Sequence, residues 1–286
     1  MTGKLLELRL NPNELRYEII LLERSVLSIS QLKGMVMSSD KLYENTARIY
    51  DIVEFGGVTD TKLTNQLIVD HLNRANAKTV LDMTCGTGAQ SLALSLQGFK
   101  VTGSDLCEEM LEVAREKSPD KDIEYIQANM IDVSLGQFDG IISMYNAIGH
   151  LTPKEFSKTI RNASEHLTEG GIYIFDIFNA PLMAYFPTHN IIDAALEYEE
   201  TKYVRYSSFA FDGLTSLLTI TQKTHIQSGF DEIRTIDEQY QLQTYSKQAL
   251  KDMVLQNGFS RVVVTGDGMR ELFEESDMLN FVVCYK

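Results

Sequence analysis

Residues 80–106, VLDMTCGTGAQSLALSLQGFKVTGSDL, bring two carboxylates and two glycines into a spacing that can hold a nucleoside. An apolar strand ends at Asp82. A turn follows at Gly86 and Gly88, then a helix closed by Gly98, then a second strand ending at Asp105. Glycine tolerates positive φ and has no Cβ, so a ligand can press against the backbone there. A carboxylate at the end of the next parallel strand stands at the rim of the same crevice, where it can accept both ribose hydroxyls.

A nicotinamide dinucleotide and S-adenosylmethionine (SAM) both suit this plan, and three details favour SAM. The dinucleotide fingerprint asks for a third small residue, usually Gly or Ala, where this chain has Ser91. Asp82 precedes the glycines, and SAM carries an ammonium and a sulfonium but no pyrophosphate. Acids and backbone carbonyls suit it better than a helix N-terminus alone. Third, QANMIDV follows the third strand, so Asn129 can hydrogen-bond an adenine edge while Met130 packs on its face.

Strands alternate with helices from TVLDM at residue 79 to IYIFDIFN at residue 172, which predicts right-handed crossovers and a parallel sheet covered on both faces. The helix over PKEFSKTIRNASEHLTEGG opens at Pro153 and is expected to close at Gly170 and Gly171. Upstream, SSDKLYENTARIYDIVEFGG reads as a helix that puts Tyr43 and Tyr50, two turns apart, on one face. Three strand-like runs, 197–211, 214–226 and 232–245, are separated by turn signals at Asp212-Gly213 and Ser228-Gly229 and form an expected three-stranded antiparallel meander. Helix and strand patterns then return. The division is therefore an N-terminal helical extension over 1–40, an α/β core over 41–180, an inserted β subdomain over 181–245, and a helix with strands over 246–286 that completes the core.

The stretch 80–149 resembles the class I SAM-dependent methyltransferases through four motifs in order: LDMTCGTG, VTGSDLCEEMLEVAR, QANMIDV and FDGIISMYNAIGHL. The likeness runs from about residue 41 to the C-terminus. It implies a Rossmann-like, doubly wound sheet of seven strands whose last strand runs antiparallel to the others. It also implies that Asp82, Gly86, Thr87 and Gly88 lie along the methionine part of SAM. Asp105 would hold the ribose, Leu106 flank the adenine, Asn129 and Met130 close the slot, and Met144 come from the fourth strand's end. The family usually has Asp at the position of Asn129.

The loop MYNAIGHL leaves the fourth strand where the acceptor must meet the methyl group. It resembles the matching loop of glycine N-methyltransferases and of amino-sugar N-methyltransferases, and those groups share the inserted meander, where it helps cover the acceptor and often joins subunits. The resemblance makes His150 the group that takes or relays an amine proton or orients the acceptor, and makes Asn146 a hydrogen-bond partner of the acceptor. Tyr50 and Tyr43 would line the methyl and sulfonium, whose charge an aromatic face tolerates. Arg205 and Tyr206 could meet an acidic group of the acceptor. The plainer alternatives are a loop-capping His150, core packing for a tyrosine, and a solvated charge at Arg205. An amine nucleophile must reach the reaction with its lone pair free. The expected reaction is methyl transfer from SAM, releasing S-adenosylhomocysteine, to a small-molecule amine. O- or C-methylation of another small metabolite is the rival, and a non-catalytic SAM-binding or oligomeric interaction protein is the alternative outside the class.

Composition sets limits. The 286 residues are 44% hydrophobic and 23% charged, which suits a soluble protein with a sizeable core. A net charge of −14 with no cluster of Lys and Arg argues against nucleic acid as a partner. Cys85, Cys107 and Cys284 have neither a C-x-x-C nor a zinc spacing, so no metal site is expected and reduced thiols in a cytoplasmic setting are. No run approaches a membrane span or has a signal-peptide layout. The meander or the N-terminal helix, with Ile19, Leu22, Val26 and Ile29 at helical spacing, could join two copies into a homodimer.

Overall fold

The structure, a computed structural model, describes residues 43–55, 62–186, 188–266 and 277–286. The helix expected within residues 1–40 lies outside the described residues. In chain order the elements are α1 (Tyr50–Phe55), α2 (Lys62–Arg74), β1 (Thr79–Asp82), α3 (Ala89–Leu96), β2 (Lys100–Asp105), α4 (Glu108–Lys117), β3 (Ile123–Gln127), β4 (Phe138–Ser143), α5 (Pro153–His166), β5 (Leu167–Phe178), α6 (Ala180–Met183), β6 (Ile191–Tyr198), β7 (Thr201–Asp212), β8 (Leu217–Ser228), β9 (Arg234–Gln243), α7 (Lys247–Gln256), β10 (Arg261–Thr265) and β11 (Leu279–Tyr285).

Seven strands form one sheet in the order β10-β11-β5-β4-β1-β2-β3. β11 is antiparallel to both neighbours, while β1, β2, β3, β4 and β5 pair in parallel. The chain starts in the middle at β1, winds outward to β3, then returns to β4 on the other side. Ligands of such sheets sit in the crevice outside the strand ends at this reversal.

Side chains along a strand alternate between faces, and the core follows that alternation. Leu81 and Ile141 join Phe156, Ile160 and Ala163 of α5 and Leu250 and Val254 of α7 on one side. Val80 and Ile142 join Ile68 and Leu72 of α2 and Leu94 of α3 on the other. Each fully buried Leu, Ile or Phe contributes about 1.5–3 kcal/mol. α5 begins at a capping box in which the Thr152 hydroxyl accepts from Glu155 N and the Glu155 carboxylate accepts from Thr152 N, with Pro153 in the first turn. It ends at His166, earlier than the glycines suggested, because Leu167 is already extended and pairs with Phe138.

The insert between β5 and α7 is a separate antiparallel sheet of four strands, β6-β7-β8-β9, one more than expected. The run 197–211 does not hold a single strand. Glu199 and Glu200 adopt φ of 47° and 62°, which turns the chain between β6 and β7. Two adjacent non-glycine residues in the left-handed region make the tight primed turn a hairpin needs, and Glu-Glu carries no sequence signal for it.

Candidate active site

The glycine turn leaves β1 and enters α3. Gly88 has a φ of 77° and packs so closely that a Cβ would lie 2.7 Å from Tyr125 Oη and 2.9 Å from Ala114 Cβ. Gly86 also has a positive φ, 51°, but a Cβ there would meet nothing within 4 Å. One glycine therefore lets the turn pack, while the other leaves room above the backbone. That room belongs to a cavity lined by Thr84, Gly86, Thr87, Asp105, Met110 and Met144, among others.

Asp105 ends β2 as expected and bridges two loops. Its Oδ2 accepts from Gly86 N at 2.8 Å and its Oδ1 from Cys107 N at 3.0 Å. Burial raises its pKa, opposed by those backbone donors. Further donors such as ribose hydroxyls would favour the ionised form. Thr84 Oγ1, on the wall of the same cavity, is buried without a hydrogen-bond partner among the described residues. An unpaired buried hydroxyl is costly, and a polar ligand would relieve it.

The other residues named for this cofactor region divide. Thr87 lines the cavity, and its hydroxyl donates to Asp51 of α1 at 2.6 Å, while Lys117 Nζ donates to the same carboxylate at 2.5 Å. This contact ties α1 to the glycine turn. Met144 is buried on the cavity wall. Asp82 is 2% exposed and sits behind the turn, accepting from Ser91 Oγ at 2.8 Å; burial pushes its pKa up to about 7. Ser91, which departs from the dinucleotide pattern, is thus the donor that this buried carboxylate requires. Asn129 Oδ1 accepts from Ile131 N at 3.0 Å and closes the turn after β3, and Met130 packs against the core beside α5. Asp82, Gly88, Leu106, Asn129 and Met130 are not among the residues that line this cavity.

A second cavity of about 400 Å³ lies between the crevice and the four-stranded sheet. Tyr43, Tyr50, Phe55, Tyr145 and His150 line both cavities and form their common wall. Tyr43 sits in a turn, followed by a short 3-10 segment (Ala47–Ile49) and then α1, so it does not share a continuous helix with Tyr50. Their rings still meet edge to face at 5.7 Å. Tyr43 Oη and His150 Nε2 are 3.0 Å apart, and the His150 ring lies 5.8 Å from that of Tyr240 on β9. Burial lowers the His150 pKa to about 4, so the ring is neutral near pH 7.

The loop after β4 is held in a strained form. Tyr145 and Asn146 have φ of 59° and 57°. Asn146 N donates to Asp176 at 2.6 Å, and Asn146 Oδ1 accepts from Phe178 N at 2.7 Å. Asn146 Nδ2 is left buried without a partner among the described residues, and Asn146 lines the larger cavity. Backbone strain persists only where surrounding contacts fix it, and it clusters at functional sites.

The larger cavity also collects residues that sequence reasoning passed over. Glu54 of α1, Asp176 of β5, Asp193 of β6, Glu238 and Tyr240 of β9, and Gln222 of β8 all line it. Arg205 is buried here rather than solvated: its Nε donates to Asp193 at 3.1 Å, and its terminal nitrogens pair with Glu54. Tyr206 faces the other side of the sheet, edge-on to His225. One signal was available for part of this set. Asp176 interrupts an apolar strand, and a carboxylate in such a run has a specific role; burial pushes it up to about 6.

Comparison with known proteins agrees with this geometry. A family described as "Methyltransferase domain" matches residues 80–171. The Bacillus subtilis (strain 168) protein named "Putative methyltransferase YqeM" is 30% identical over 193 residues, which are 66% of this chain and 76% of that protein. The structure of a S-adenosylmethionine-dependent methyltransferase from Clostridium acetobutylicum ATCC 824 superposes with a TM-score of 0.72 at 20% identity, covering 85% of this chain and 98% of that one. The chain belongs to the SAM-dependent methyltransferases. A further relative of this methyltransferase is the dTDP-3-amino-3,4,6-trideoxy-alpha-D-glucopyranose N,N-dimethyltransferase of Streptomyces venezuelae, 30% identical over 140 residues, 47% of this chain and 58% of that protein. SAM, when bound, supplies a methyl group already activated by a positively charged sulfur. In this enzyme the open space at Gly86, the Asp105 carboxylate and the orphaned Thr84 hydroxyl fit a nucleoside-bearing cosubstrate in the smaller cavity.

Proposed function

We propose that the enzyme methylates the nitrogen of a small-molecule amine. The observation that carries this reading is the charge of the larger cavity. Glu54, Asp176, Asp193 and Glu238 line it against one cation among the described residues, Arg205, which is already paired. Such a chamber favours a cationic ligand over a neutral alcohol or an acid. It shares Tyr43, Tyr50, Phe55, Tyr145 and His150 with the glycine-turn cavity, so an acceptor and SAM held in the two cavities can meet at these side chains. Asn146, with its buried free Nδ2, is the hydrogen-bond donor for the acceptor. Tyr43 and Tyr50 face the cationic sulfur and methyl. His150 orients the acceptor as a neutral ring bonded to Tyr43; its low pKa makes it a poor proton acceptor. The named relative dimethylates the amine of a dTDP-linked amino sugar, and it is this transfer to nitrogen, not the nucleotide-linked acceptor, that supports nitrogen over oxygen here.

The test is S-adenosylhomocysteine release with full-length enzyme, a panel of primary amines and their hydroxyl analogues. Turnover with amines alone is expected. Equal or greater turnover with the hydroxyl analogues would overturn the assignment to nitrogen.

A further inference from the structure

We propose that the acceptor is a phosphate-free ammonium whose proton is taken by Glu238. The inference rests on the N-methylation reading above and names the substrate class and the base that this reading leaves open.

The inward face of the four-stranded sheet carries a polar end and an apolar end. Alternation along β9 turns Ile236, Glu238, Tyr240 and Leu242 to one face. The register sets Glu238 opposite Gln222 on β8, which in turn is opposite Ser207 on β7. Gln222 donates to Ser207 at 3.2 Å, and Ser207 donates to Asp193 at 2.7 Å. Asp193 is reached because β6 bulges between Ile192 and Ala194. This row therefore satisfies its own members: Asp193 holds Arg205 and Ser207, and Arg205 holds Glu54. Glu238 is the exception. Among the described residues its one hydrogen bond to a side chain is a long one, 3.5 Å, from Thr46 Oγ1. A part-buried carboxylate lining a cavity with so weak a partner is the group with spare capacity for a ligand.

Among the groups facing Glu238, Glu54 of α1 disfavours its ionisation and Arg205 of β7 favours it, while Asp193, Asp176, His150, Tyr43, Tyr50 and Tyr240 are the other titratable groups on the cavity wall. Burial dominates, and its pKa is pushed up to about 7. A carboxyl that titrates near the working pH exchanges protons readily with an amine. In the step itself an N–H bond of the ammonium breaks and an O–H bond forms on Glu238. The electron pair stays on nitrogen, free for the methyl group, and the carboxyl later returns its proton to water.

The same charges exclude a phosphate. Arg205 is matched by two carboxylates, and no other cation lines the cavity among the described residues, so a phosphate would stay unpaired among acids. Phe178, Phe186, Phe209, Ile220 and Leu242 form the apolar end, which takes the body of the acceptor.

The experiment is calorimetry on the full chain saturated with S-adenosylhomocysteine, titrated with glucosamine and cyclohexylamine as amines. N-acetylglucosamine and cyclohexanol serve as uncharged counterparts, and glucosamine 6-phosphate as the phosphate-bearing one. We expect both amines to bind at least tenfold more tightly than their uncharged counterparts, and glucosamine at least tenfold more tightly than its phosphate. Amine binding at pH 7, compared in buffers of different ionisation enthalpy, should release about half a proton from Glu238. Glu238→Gln should abolish that release and weaken both amines at least tenfold with S-adenosylhomocysteine affinity unchanged, while Glu238→Asp retains amine binding. Equal binding of the phosphate, no binding of either amine, or unchanged binding and proton release in Glu238→Gln would each overturn the inference. Methyl transfer to phosphorylated amines would remove the inference and leave N-methylation standing. Transfer to the alcohols instead would remove both.

Discussion

A methyl group added at Gly88 should act on folding, and the same methyl at Gly86 on SAM. At Gly88 the added Cβ takes a left-handed conformation, which costs about 1–2 kcal/mol, and collides with Tyr125 Oη at 2.7 Å and Ala114 Cβ at 2.9 Å. Tyr125 is half-buried and is held on two sides. Its ring lies against Gly103, where a Cβ would be 2.8 Å away, and its hydroxyl is bonded to Ser118. Overpacking of this kind costs about 1–3 kcal/mol, so Gly88→Ala should lose about 2–5 kcal/mol in all. Gly86→Ala carries the conformational cost alone, about 1–2 kcal/mol, because its Cβ meets no atom within 4 Å. That methyl nevertheless occupies space at the wall of the glycine-turn cavity, where SAM is proposed to bind, so SAM affinity should fall at least tenfold, or about 1.4 kcal/mol. Urea unfolding of both variants and SAM titration of Gly86→Ala measure the two effects. Wild-type SAM affinity in Gly86→Ala, or a Gly88→Ala variant no less stable than Gly86→Ala, would refute the division of labour between the two glycines.

Other substitutions probe the remaining parts. Ser91→Ala removes the hydroxyl that donates to Asp82 and should cost about 1–3 kcal/mol at pH 8. The loss should shrink below pH 7 as Asp82, whose pKa is already raised to about 7, takes up its proton; urea unfolding at pH 8 and pH 5.5 measures this. Glu238 has a folded pKa raised above its unfolded value, so its ionisation weakens the fold as pH rises from about 4.5 to about 7. Glu238→Gln should therefore gain stability relative to wild type between pH 5 and pH 8, read from the same unfolding midpoints. Arg205→Leu strands Glu54 and Asp193, whose side chains are 34% and 20% exposed. Solvent reaches both, so the loss is about 1–3 kcal/mol, less than for a fully buried pair, and denaturation with added salt should recover part of it.

The crevice was legible because its signals are local. An apolar strand, two glycines and a strand-ending acid fall within residues 80–106, and each residue type follows from the turn it must make. The chamber for the acceptor was not legible, because its parts come together only through pairing. Glu54 and Arg205 are 151 positions apart. Asp193 faces the chamber because of a bulge, and β6 exists as a strand because Glu199 and Glu200 take a turn that their residue types do not announce. Arg205 looked like a solvated charge since alternation alone does not say which face of a hairpin is covered. Asn129 has a structural use that its motif position did not announce: its Oδ1 closes its own turn, as Asn does widely in loops.

In the reaction proposed above, a methyl group passes from the glycine-turn cavity to an amine in the acidic chamber. The most direct measurement follows a 13C-labelled methyl from SAM by NMR after incubation of the full-length enzyme with primary amines and their hydroxyl analogues. The account predicts label on nitrogen, with S-adenosylhomocysteine formed in equal amount. Label on oxygen or carbon, or no transfer to any amine by enzyme that binds SAM, would contradict it.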